Sequence, residues 1–584
     1  MRKISAIILS LILIMSTLAV LAIPASAEDA KVEIGKVAAD YKPAEGAIAV
    51  NTAEDFADMV ADGNYYLAAD IKINATYETD FTGTFDGCGK TITTSVSIFK
   101  TMNGTFKNAT INGKIEKGIA GKNYAGSVTA WPTGKDVVID NVCNNANVTA
   151  GSTAGGIVGY AKDKSEVTIT NCVNKGDITS GGQTGGIVGY SQGKLCTVKN
   201  CVNTGKITAT ESYGAGIVGR FGQNESEKDY VLTIENCVNT GAVESARDQS
   251  AGIIGYIVGI GNVKDCVNKG DVSNKGGASG GILGQTASDN ATGVTGFTVD
   301  NCVNYGKITG TSRSAGIAAS LGRKAATEGF KFTATNCINF GEIVLDANGK
   351  TNHVGGVVAY AWGGSTDNAT TGNINFGNIT VKASEALENQ KGKIYVAGVL
   401  GYVNSSKYHI KNNVNFGTIT VENVKNLFLT QIFFNNHAAG GNTDYVAGNS
   451  TVEVAGEGVV YEKNGTQDVS STVFTAEQVA SGALAAYYNE KAGKKVLYQE
   501  VGKDSLPTIT PVVKIDKDGK EVIVNDVIKG ADGKVSNPTY VPGGSTPTPT
   551  PTTTGDSTVI MIVVFALAAA AGLALAFVPK KKEN

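Results

Sequence analysis

The sequence has few of the residues on which most catalytic sites depend. It contains three histidines among 584 residues, and they are followed by Val, Ile and Ala at His353, His409 and His437. The zinc peptidase pattern His-Glu-x-x-His is therefore excluded. Five arginines occur: Arg2, Arg220, Arg247, Arg313 and Arg323. We expect no metal, no cofactor and, at a net charge of −3, no nucleic-acid partner.

Helical periodicity is missing from the middle of the chain. The apolar segments there are short and β-branched, such as "VTI" at 167–169 and "GIVGY" at 186–190, and Gly and Asn separate them. Short β-branched runs between turn residues are typical of strands. Helical repeat proteins are therefore excluded.

Long apolar runs occur near the two ends. Residues 4–22 follow Arg2 and Lys3 and end in "ASA" at 25–27, which predicts a signal peptide cleaved after Ala27. Residues 28–45 are interpreted as a linker. Near the other end, a Thr/Pro-rich spacer (541–556) precedes an apolar run (559–578) and a basic tail (579–584). The run is long enough for a transmembrane helix, and the lysines favour a cytoplasmic tail.

The end of the spacer resembles the cell-wall sorting signal of Gram-positive bacteria. A sortase cuts Leu-Pro-x-Thr-Gly between Thr and Gly, which corresponds here to Thr554 and Gly555, but Pro551 and Thr552 replace the Leu and Pro. The resemblance implies attachment to peptidoglycan, and the apolar run implies a membrane anchor; both remain open. Either one predicts an extracellular protein attached to the cell wall or plasma membrane.

Two short motifs recur between these ends. The first has copies at 141–148, 171–178 ("NCVNKGDI"), 200–207, 236–243, 265–272, 301–308, 336–343, 372–379 and 412–419. The second has copies at 154–160 ("AGGIVGY"), 185–190, 215–220, 251–256, 280–285, 315–320, 355–360 and 397–402. Fixed motifs separated by inserts of variable length are typical of a solenoid.

The predicted fold is all-β, a right-handed parallel β-helix over residues 46–425. A short helix beginning near an N-cap at Asn51 is expected to cover its first turn. Residues 426–540 are interpreted as degenerate coils followed by a small C-terminal cap, with a hairpin at 513–524.

In-register stacking accounts for the repetition of individual residue types. The asparagines of the first motif, among them Asn174, Asn203 and Asn239, are expected to form a hydrogen-bonded ladder. The glycine two residues later is expected to adopt a positive φ. Seven cysteines are assigned to one repeat position: Cys143, Cys172, Cys201, Cys237, Cys266, Cys302 and Cys337. Buried thiols and disulfides are both open at this position.

"FTGTFDGCGKTIT" (81–93) and the serial "GGIVGY" segments resemble secreted bacterial proteins with GLUG-type repeats. The resemblance covers about residues 46–420. It implies a β-helical surface region and specifies no activity.

These features predict a non-catalytic surface protein, acting as an adhesin, a glycan-binding or host-binding module, or a spacer. Candidate ligand-binding aromatics are Tyr160, Tyr190, Tyr256, Trp362 and Tyr402, although the tyrosines could simply stack on one another. The alternative is a polysaccharide lyase or glycoside hydrolase acting on acidic glycans, with carboxylates as its catalytic groups. Asp177, Glu244, Asp271 and Glu342 are scattered over the repeat and are better interpreted as solvated charges.

Overall fold

The structure is a computed structural model. It describes residues 33–537 except 117, 119–122, 163, 224–228, 288–295, 323–330, 349, 364–366, 384–388, 406, 425, 431, 436–444, 448–451, 456–471, 516–520 and 531–532. Ala27, Thr554 and Gly555, the predicted signal peptide, and the predicted spacer, transmembrane helix and basic tail lie outside these residues. No helix in the described part of the chain is long and apolar enough to span a membrane.

Residues 42–477 form one compact unit, in which each turn of chain from Glu166 to Asn435 contributes five short strands. We number the strands by the stacks that they form with the same strand of neighbouring turns. In one turn they are Glu166–Thr170 (stack 1), Val173–Asn174 (stack 2), Ile178–Ser180 (stack 3), Gln183–Gly185 (stack 4) and Val188–Ser191 (stack 5). All strand pairs within the stacks are parallel.

The remaining strands of stack 1 are Ile48–Val50, Asn64–Leu67, Thr84–Asp86, Leu195–Lys199, Val231–Glu235, Ile260–Lys264, Gly296–Asp300, Phe332–Thr335, Ala369–Thr371 and His409–Lys411. Those of stack 2 are Ile71–Ile73, Thr91–Thr94, Val202–Asn203, Val238–Asn239, Val267–Asn268, Val303–Asn304, Ile338–Asn339, Ile374–Asn375, Val414–Asn415, Tyr445–Ala447 and Thr472–Phe474. Two longer strands cross between stacks: Thr105–Ile115 and Val137–Asn144.

Stack 3 continues with Asn147–Ala150, Ile207–Ala209, Val243–Ser245, Val272–Asn274, Ile308–Gly310, Ile343–Ala347, Ile379–Ala383, Ile419–Glu422 and Val452–Ala455. Stack 4 also contains Tyr124–Ala125, Thr153–Gly155, Gly214–Ala215, Gln249–Ala251, Ala278–Gly280, Arg313–Ala315, Asn352–Gly355, Ile394–Ala397 and Leu427–Thr430. Stack 5 also contains Val158–Ala161, Val218–Phe221, Ile254–Ile257, Leu283–Thr286, Ala318–Leu321, Val358–Trp362, Leu400–Asn404 and Phe433–Asn435.

The stacks enclose one continuous apolar core. Among the described residues, stacks 1 to 3 form a 35-stranded sheet, and stacks 4 and 5 form sheets of ten and nine strands. Buried side chains from every stack, such as Ile169, Ile178 and Val188, belong to a single cluster that extends from Val50 to Phe433. The predicted parallel β-helix is confirmed, and its strands continue beyond residue 425 to Phe474.

A left-handed residue joins stack 1 to stack 2 in most turns. In eight turns this residue has φ between +52 and +56: Asn141, Asn171, Asn200, Asn236, Asp265, Asn301, Asn336 and Asn412. Asn tolerates this conformation better than other residues with side chains. The bend interrupts strand alternation, so that Ile169 and Cys172 both point into the core.

The ladder asparagines form one buried hydrogen-bonded column. From Asn144 to Asn415, each amide Nδ2 donates to the Oδ1 of the next turn at 2.7–2.9 Å. Each Nδ2 also donates to the backbone carbonyl two residues further on, as Asn203 does to Gly205 at 2.9 Å. All members of the column are completely buried, and these bonds satisfy both amide hydrogens without water.

The glycine of the first motif has a different role from the one expected. None of Gly176, Gly205 or Gly241 has a positive φ. A Cβ added to Gly205 would instead lie 1.9 Å from the carbonyl oxygen of Gly176 in the preceding turn. The position requires glycine because two backbone segments approach each other here, and a positive φ was the wrong explanation.

The two repeated motifs pack against each other in the interior. Gly186 of the second motif lies against the ladder, because a Cβ added there would be 2.5 Å from Cγ of Asn203 and 2.0 Å from the carbonyl oxygen of Gly216. Gly156, Gly216, Gly252 and Gly281 have the same relation to the ladder asparagine of the following turn. The space for the amide column is therefore provided by the glycines of the second motif.

The cysteine column has six members, so the assignment of Cys143 to it was wrong. Cys143 is in register with Val173, and the core position of Cys172 is occupied in that turn by Val142. The six thiols lie at Cys172, Cys201, Cys237, Cys266, Cys302 and Cys337. Each Sγ lies 3.1–3.4 Å from the carbonyl oxygen two residues earlier. Asn373 and Asn413 continue the column, and Asn373 donates to Asn413 at 2.9 Å.

All nine cysteines are free thiols, and alkylation should reveal their burial. Burial raises the pKa of Cys201, Cys237 and Cys266 well above the ordinary value, and only the thiolate reacts. Without reductant at pH 8, we expect iodoacetamide to leave the six column thiols of the native protein unmodified. After denaturation it should add nine groups, as counted by mass spectrometry. A shortfall that reductant restores would indicate disulfides and contradict the free-thiol assignment.

A helix covers the first turn of the solenoid. Helix α1 (Ala53–Ala57) begins after Thr52, whose side chain accepts from the backbone N–H of Asp55 at 3.1 Å, while the Asp55 carboxylate accepts from Thr52 N–H. The N-cap is therefore Thr52, and Asn51 was one residue early, because only Thr52 closes this capping box. Phe56 points into the core and contacts Tyr77, Phe85 and Phe99 at ring centroid distances of 6.1 Å.

The second compact unit contains residues 33–41 and 478–537 of the described chain. Helices α2 (Ala476–Ala480), which starts at the end of the first unit, and α3 (Ala483–Ala492) are followed by two antiparallel strand pairs. Val513–Ile515 pairs with Glu521–Ile523, which confirms the predicted hairpin, and Ile528–Lys529 pairs with Val535–Ser536.

Candidate functional site

Aromatic side chains are concentrated on the outer surface of stacks 4 and 5. Most of them come from the third residue of a stack 5 strand, from the first or second residue of a stack 4 strand, or from the residue just before a stack 4 strand. We call this surface the aromatic face. Its rings and cations are Tyr124, Trp131, Tyr160, Tyr190, Tyr213, Arg220, Tyr256, Arg313, His353, Tyr360, Trp362, Tyr395, Tyr402 and Phe428. At about 4.8 Å per turn, the face extends for about 40 Å.

The N-terminal part of the face contains a chain of touching rings. Tyr124 stacks on Tyr160 at 4.6 Å and meets Trp131 edge-on at 6.4 Å. Tyr160 in turn contacts Tyr190 at 5.2 Å. Tyr124, Trp131 and Tyr160 are half-buried, whereas Tyr190 is buried. Aromatic edges and hydroxyl groups are therefore available to a ligand along this edge.

Arg220 occupies a box of three tyrosines. It stands in register between Tyr190 and Tyr256 in stack 5. Its guanidinium carbon lies 4.8 Å from the ring centroid of Tyr190 and 5.4 Å from those of Tyr213 and Tyr256. Burial raises the pKa of Tyr213 to about 12, so its hydroxyl is neutral at neutral pH. The guanidinium provides the positive charge of the box.

The C-terminal part of the face surrounds His353. The imidazole stacks on Tyr395 at 5.3 Å and contacts Tyr360 and Tyr402 at 4.9 and 5.4 Å. Arg313 lies over the ring of Tyr360 at 4.6 Å. Burial, helped by the charge of Arg313, lowers the pKa of His353 to about 3. His353 is therefore neutral at physiological pH and acts here as a planar ring.

Trp362 lies at the edge of this group. Its indole meets Tyr360 at 5.9 Å, and Tyr360 stacks on Tyr402 at 5.8 Å. Trp362 and Tyr402 are half-buried. In register, Trp362 is followed by Asn404, so no ring of the next turn stacks on the indole from that position. This indole is suited to contact a ligand.

The structure separates the five predicted ligand aromatics into three places. It brings Tyr160 and Tyr190 together, places Tyr256 beside Arg220, and places Trp362 and Tyr402 each in contact with Tyr360. Tyr190 and Tyr256 are buried, and the other three are half-buried. Tyr190 meets Tyr160 edge-on, and Tyr256 stacks on Tyr213, directly before a stack 4 strand, instead of on a tyrosine of its own repeat position.

Several members of the face were missed from the sequence. Trp131 precedes Tyr160 by 29 residues, which is the shortest repeat length, so the spacing could have identified it. Arg220 occupies the tyrosine position of its own motif copy and was missed because only aromatics were considered. Tyr124, Tyr213 and Tyr395 lie in stack 4 strands or directly before one. The residue type at these positions varies from turn to turn, so no repeated motif identified them.

A second ring column lies on another surface, directly after the ladder asparagines. Tyr305, Phe340, Phe376 and Phe416 stack nearly parallel at 4.7–5.0 Å. These rings cover one another and are half-buried or buried. They provide a comparison for the aromatic face, because they stack without a guanidinium between them.

The candidate carboxylates of the glycan-active alternative do not converge. Asp177 accepts from the backbone N–H of Lys206 at 2.8 Å, and Lys206 Nζ forms an ion pair with Glu244 at 2.8 Å. Asp271 accepts from the N–H of Lys307 at 2.9 Å, and Lys307 pairs with Glu342 at 2.8 Å. Acids and lysines thus alternate along the turns. Within the described ranges, no three His, Cys, Asp or Glu side chains are placed to hold a metal ion.

Residues 180–208 match the family model described as the GLUG motif. The match covers 29 residues, the length of one repeat of the solenoid. The matched segment runs from the end of one stack 3 strand through the next turn to Thr208, so it includes Gly186, Cys201 of the cysteine column and Asn203. Within it, Gly186 packs on the asparagine ladder.

No match was found among curated proteins. Among solved structures, the chain is similar to a protein from Bacteroides ovatus described as a candidate immunoglobulin A1 protease. The identity is 13%, the alignment covers 82% of this chain and 93% of that chain, and the TM-score is 0.23. A score this low supports no argument about activity.

Proposed function

We propose that the protein is a non-catalytic, surface-attached β-helical adhesin that binds glycan chains along its aromatic face. The observation that carries the proposal is the half-buried set of rings at Tyr160, Trp362 and Tyr402 on one outer surface. Sugar rings present apolar C–H faces and hydroxyl groups, which pack on aromatic rings and bond to phenol hydroxyls. A surface that extends over many turns suits a chain-like ligand.

Attachment at the cell surface belongs to the same proposal. The predicted signal peptide supports export, and the C-terminal apolar run and the sorting-like sequence support anchoring to the membrane or to peptidoglycan. A spacer rich in Thr and Pro would hold the solenoid away from the anchor.

The test is a glycan and host-matrix array probed with the full-length protein, followed by product analysis on every glycan that binds. We expect saturable binding to at least one glycan class and no new reducing ends. The variant Trp362→Ala should weaken that binding about tenfold or more, because a few residues, Trp and Tyr above all, contribute most of the binding energy at an interface. Phe376→Ala, which removes a ring from the second ring column, should leave the affinity unchanged.

Two outcomes would contradict the proposal. Absence of any glycan or matrix ligand would leave the protein as a spacer. Cleaved or unsaturated products that disappear on changing one or two carboxylates would identify a glycan-active enzyme instead.

A further inference from the structure

Arg220 is unusual because polar contacts with the described part of the chain do not hold its guanidinium group in place. Its Nε is buried without a hydrogen-bond partner, and the part of the chain that the structure describes gives the guanidinium no hydrogen bond and no ion pair. Its contacts are the three tyrosine rings. Guanidinium N–H donors that are held near a surface without a partner favour an anionic acceptor.

The surroundings of Arg220 also favour an anion. The outward positions of stacks 4 and 5 carry Arg220 and Arg313 and, from Tyr124 to Phe428, no Asp or Glu. Asp248 is close enough to Tyr213 for its charge to raise the pKa of that hydroxyl, but its effect is smaller than that of burial. The chain otherwise relies on lysine, since its 50 basic residues include five arginines. Arginine differs from lysine in binding carboxylates through two parallel hydrogen bonds and in stacking on rings.

We infer that Arg220 and its tyrosine box recognise the carboxylate of an acidic sugar, so that the aromatic face selects glycans that contain uronic acid. The inference rests on the proposed glycan-binding function and adds the class of glycan. The tyrosines hold the guanidinium plane, and their rings pack against the sugar that carries the carboxylate. Ser320 lies three turns further on in register with Arg220, about 14 Å away by the strand spacing. Arg313 donates to the hydroxyl of Ser320 at 3.4 Å and so adds a second positive charge along the same face.

The test uses the full-length protein and two forms of one polymer. Polygalacturonate carries a carboxylate on every sugar, and its fully methyl-esterified form has the same backbone without the charge. We expect the acid form to bind about tenfold more tightly than the ester, as a charge-assisted bidentate contact would give. Arg220→Gln should remove this preference, so that the acid form and the ester bind with about equal affinity. An unchanged circular dichroism spectrum would show that the variant is folded.

Arg220→Lys separates recognition from simple charge. The lysine retains the positive charge but cannot form the bidentate contact, so most of the preference should be lost with this variant too. Lys206→Gln serves as the control, because it removes a positive charge from stack 3, where Lys206 pairs with Glu244. It should keep the full preference for the acid form.

The outcomes distinguish this inference from the proposed function. Equal binding of acid and ester would overturn the role of Arg220 while glycan binding stands. A preference retained in Arg220→Gln would also overturn it. Absence of binding to both forms, with binding of neutral glycans on the array, would reject the acidic class alone, whereas absence of binding to every glycan would reject the proposed function.

Discussion

Gly205→Ala is expected to lower the free energy of unfolding by about 3 kcal/mol or more. The new Cβ would lie 1.9 Å from the carbonyl oxygen of Gly176 and 2.6 Å from its carbonyl carbon. Both contacts are with backbone, so neither can be relieved by turning a side chain. Forcing the turns apart would stretch the hydrogen bonds between Asn174 and Asn203, and strain of this kind exceeds ordinary overpacking.

The matched control is Gly214→Ala, also in a buried strand of the solenoid. Its nearest added contact is 3.3 Å, to the Cβ of Ala209, and its register partners Thr184 and Ser250 both carry side chains. Alanine restricts the unfolded chain, so this variant should be neutral or slightly more stable. The free energies of unfolding of both variants can be measured by chemical denaturation. Equal stability of the two would show that the turns can separate at Gly205 without penalty.

Asn239→Ala is expected to destabilise the protein by about 2–4 kcal/mol. The amide donates to Gly241 at 2.9 Å and to Asn268 at 2.8 Å, and it accepts from Asn203 at 2.8 Å. Alanine would leave the Nδ2 of Asn203 and the Oδ1 of Asn268 each without one partner in a region closed to water. Unsatisfied buried polar groups, together with the cavity, account for the expected loss.

Asn262→Ala provides the control for the ladder. Asn262 is exposed on stack 1, and its side chain accepts one bond, from the hydroxyl of Thr298 at 3.1 Å. We expect a change within about 0.5 kcal/mol, as is usual for surface substitutions. If Asn239→Ala were equally mild in denaturant titrations, the column would not contribute to stability as its geometry indicates.

The fold could be predicted from the sequence because stacking repeats residue types as well as hydrophobicity. The recurrence of Asn174, Gly176 and their equivalents fixed the register of successive turns. The error at Cys143 arose because the copies were aligned by the identity of the cysteine, whereas the structure aligns Asn144 with Asn174. The distance from the cysteine to the ladder asparagine would have revealed the one-residue difference.

The contacts between motifs could not be predicted in the same way. Gly186 of the second motif packs on Asn203 of the first motif. The spacing between copies of one motif does not indicate which residues of the two motifs are in contact. The aromatic face has a similar origin, because Tyr213 and Tyr256 come from different stacks and different turns. Such contacts depend on the cross-section of the coil, which periodicity does not specify.

The asparagine column has a consequence for how the length of this protein can change. Every amide donates toward the C-terminal end and accepts from the N-terminal side. Each turn therefore offers an Nδ2 donor to the following turn and an Oδ1 acceptor to the preceding turn. A duplicated turn inserted anywhere in the column would meet a donor on one side and an acceptor on the other. Gene duplication or deletion of whole repeats could therefore vary the reach of the molecule without creating a mismatched junction.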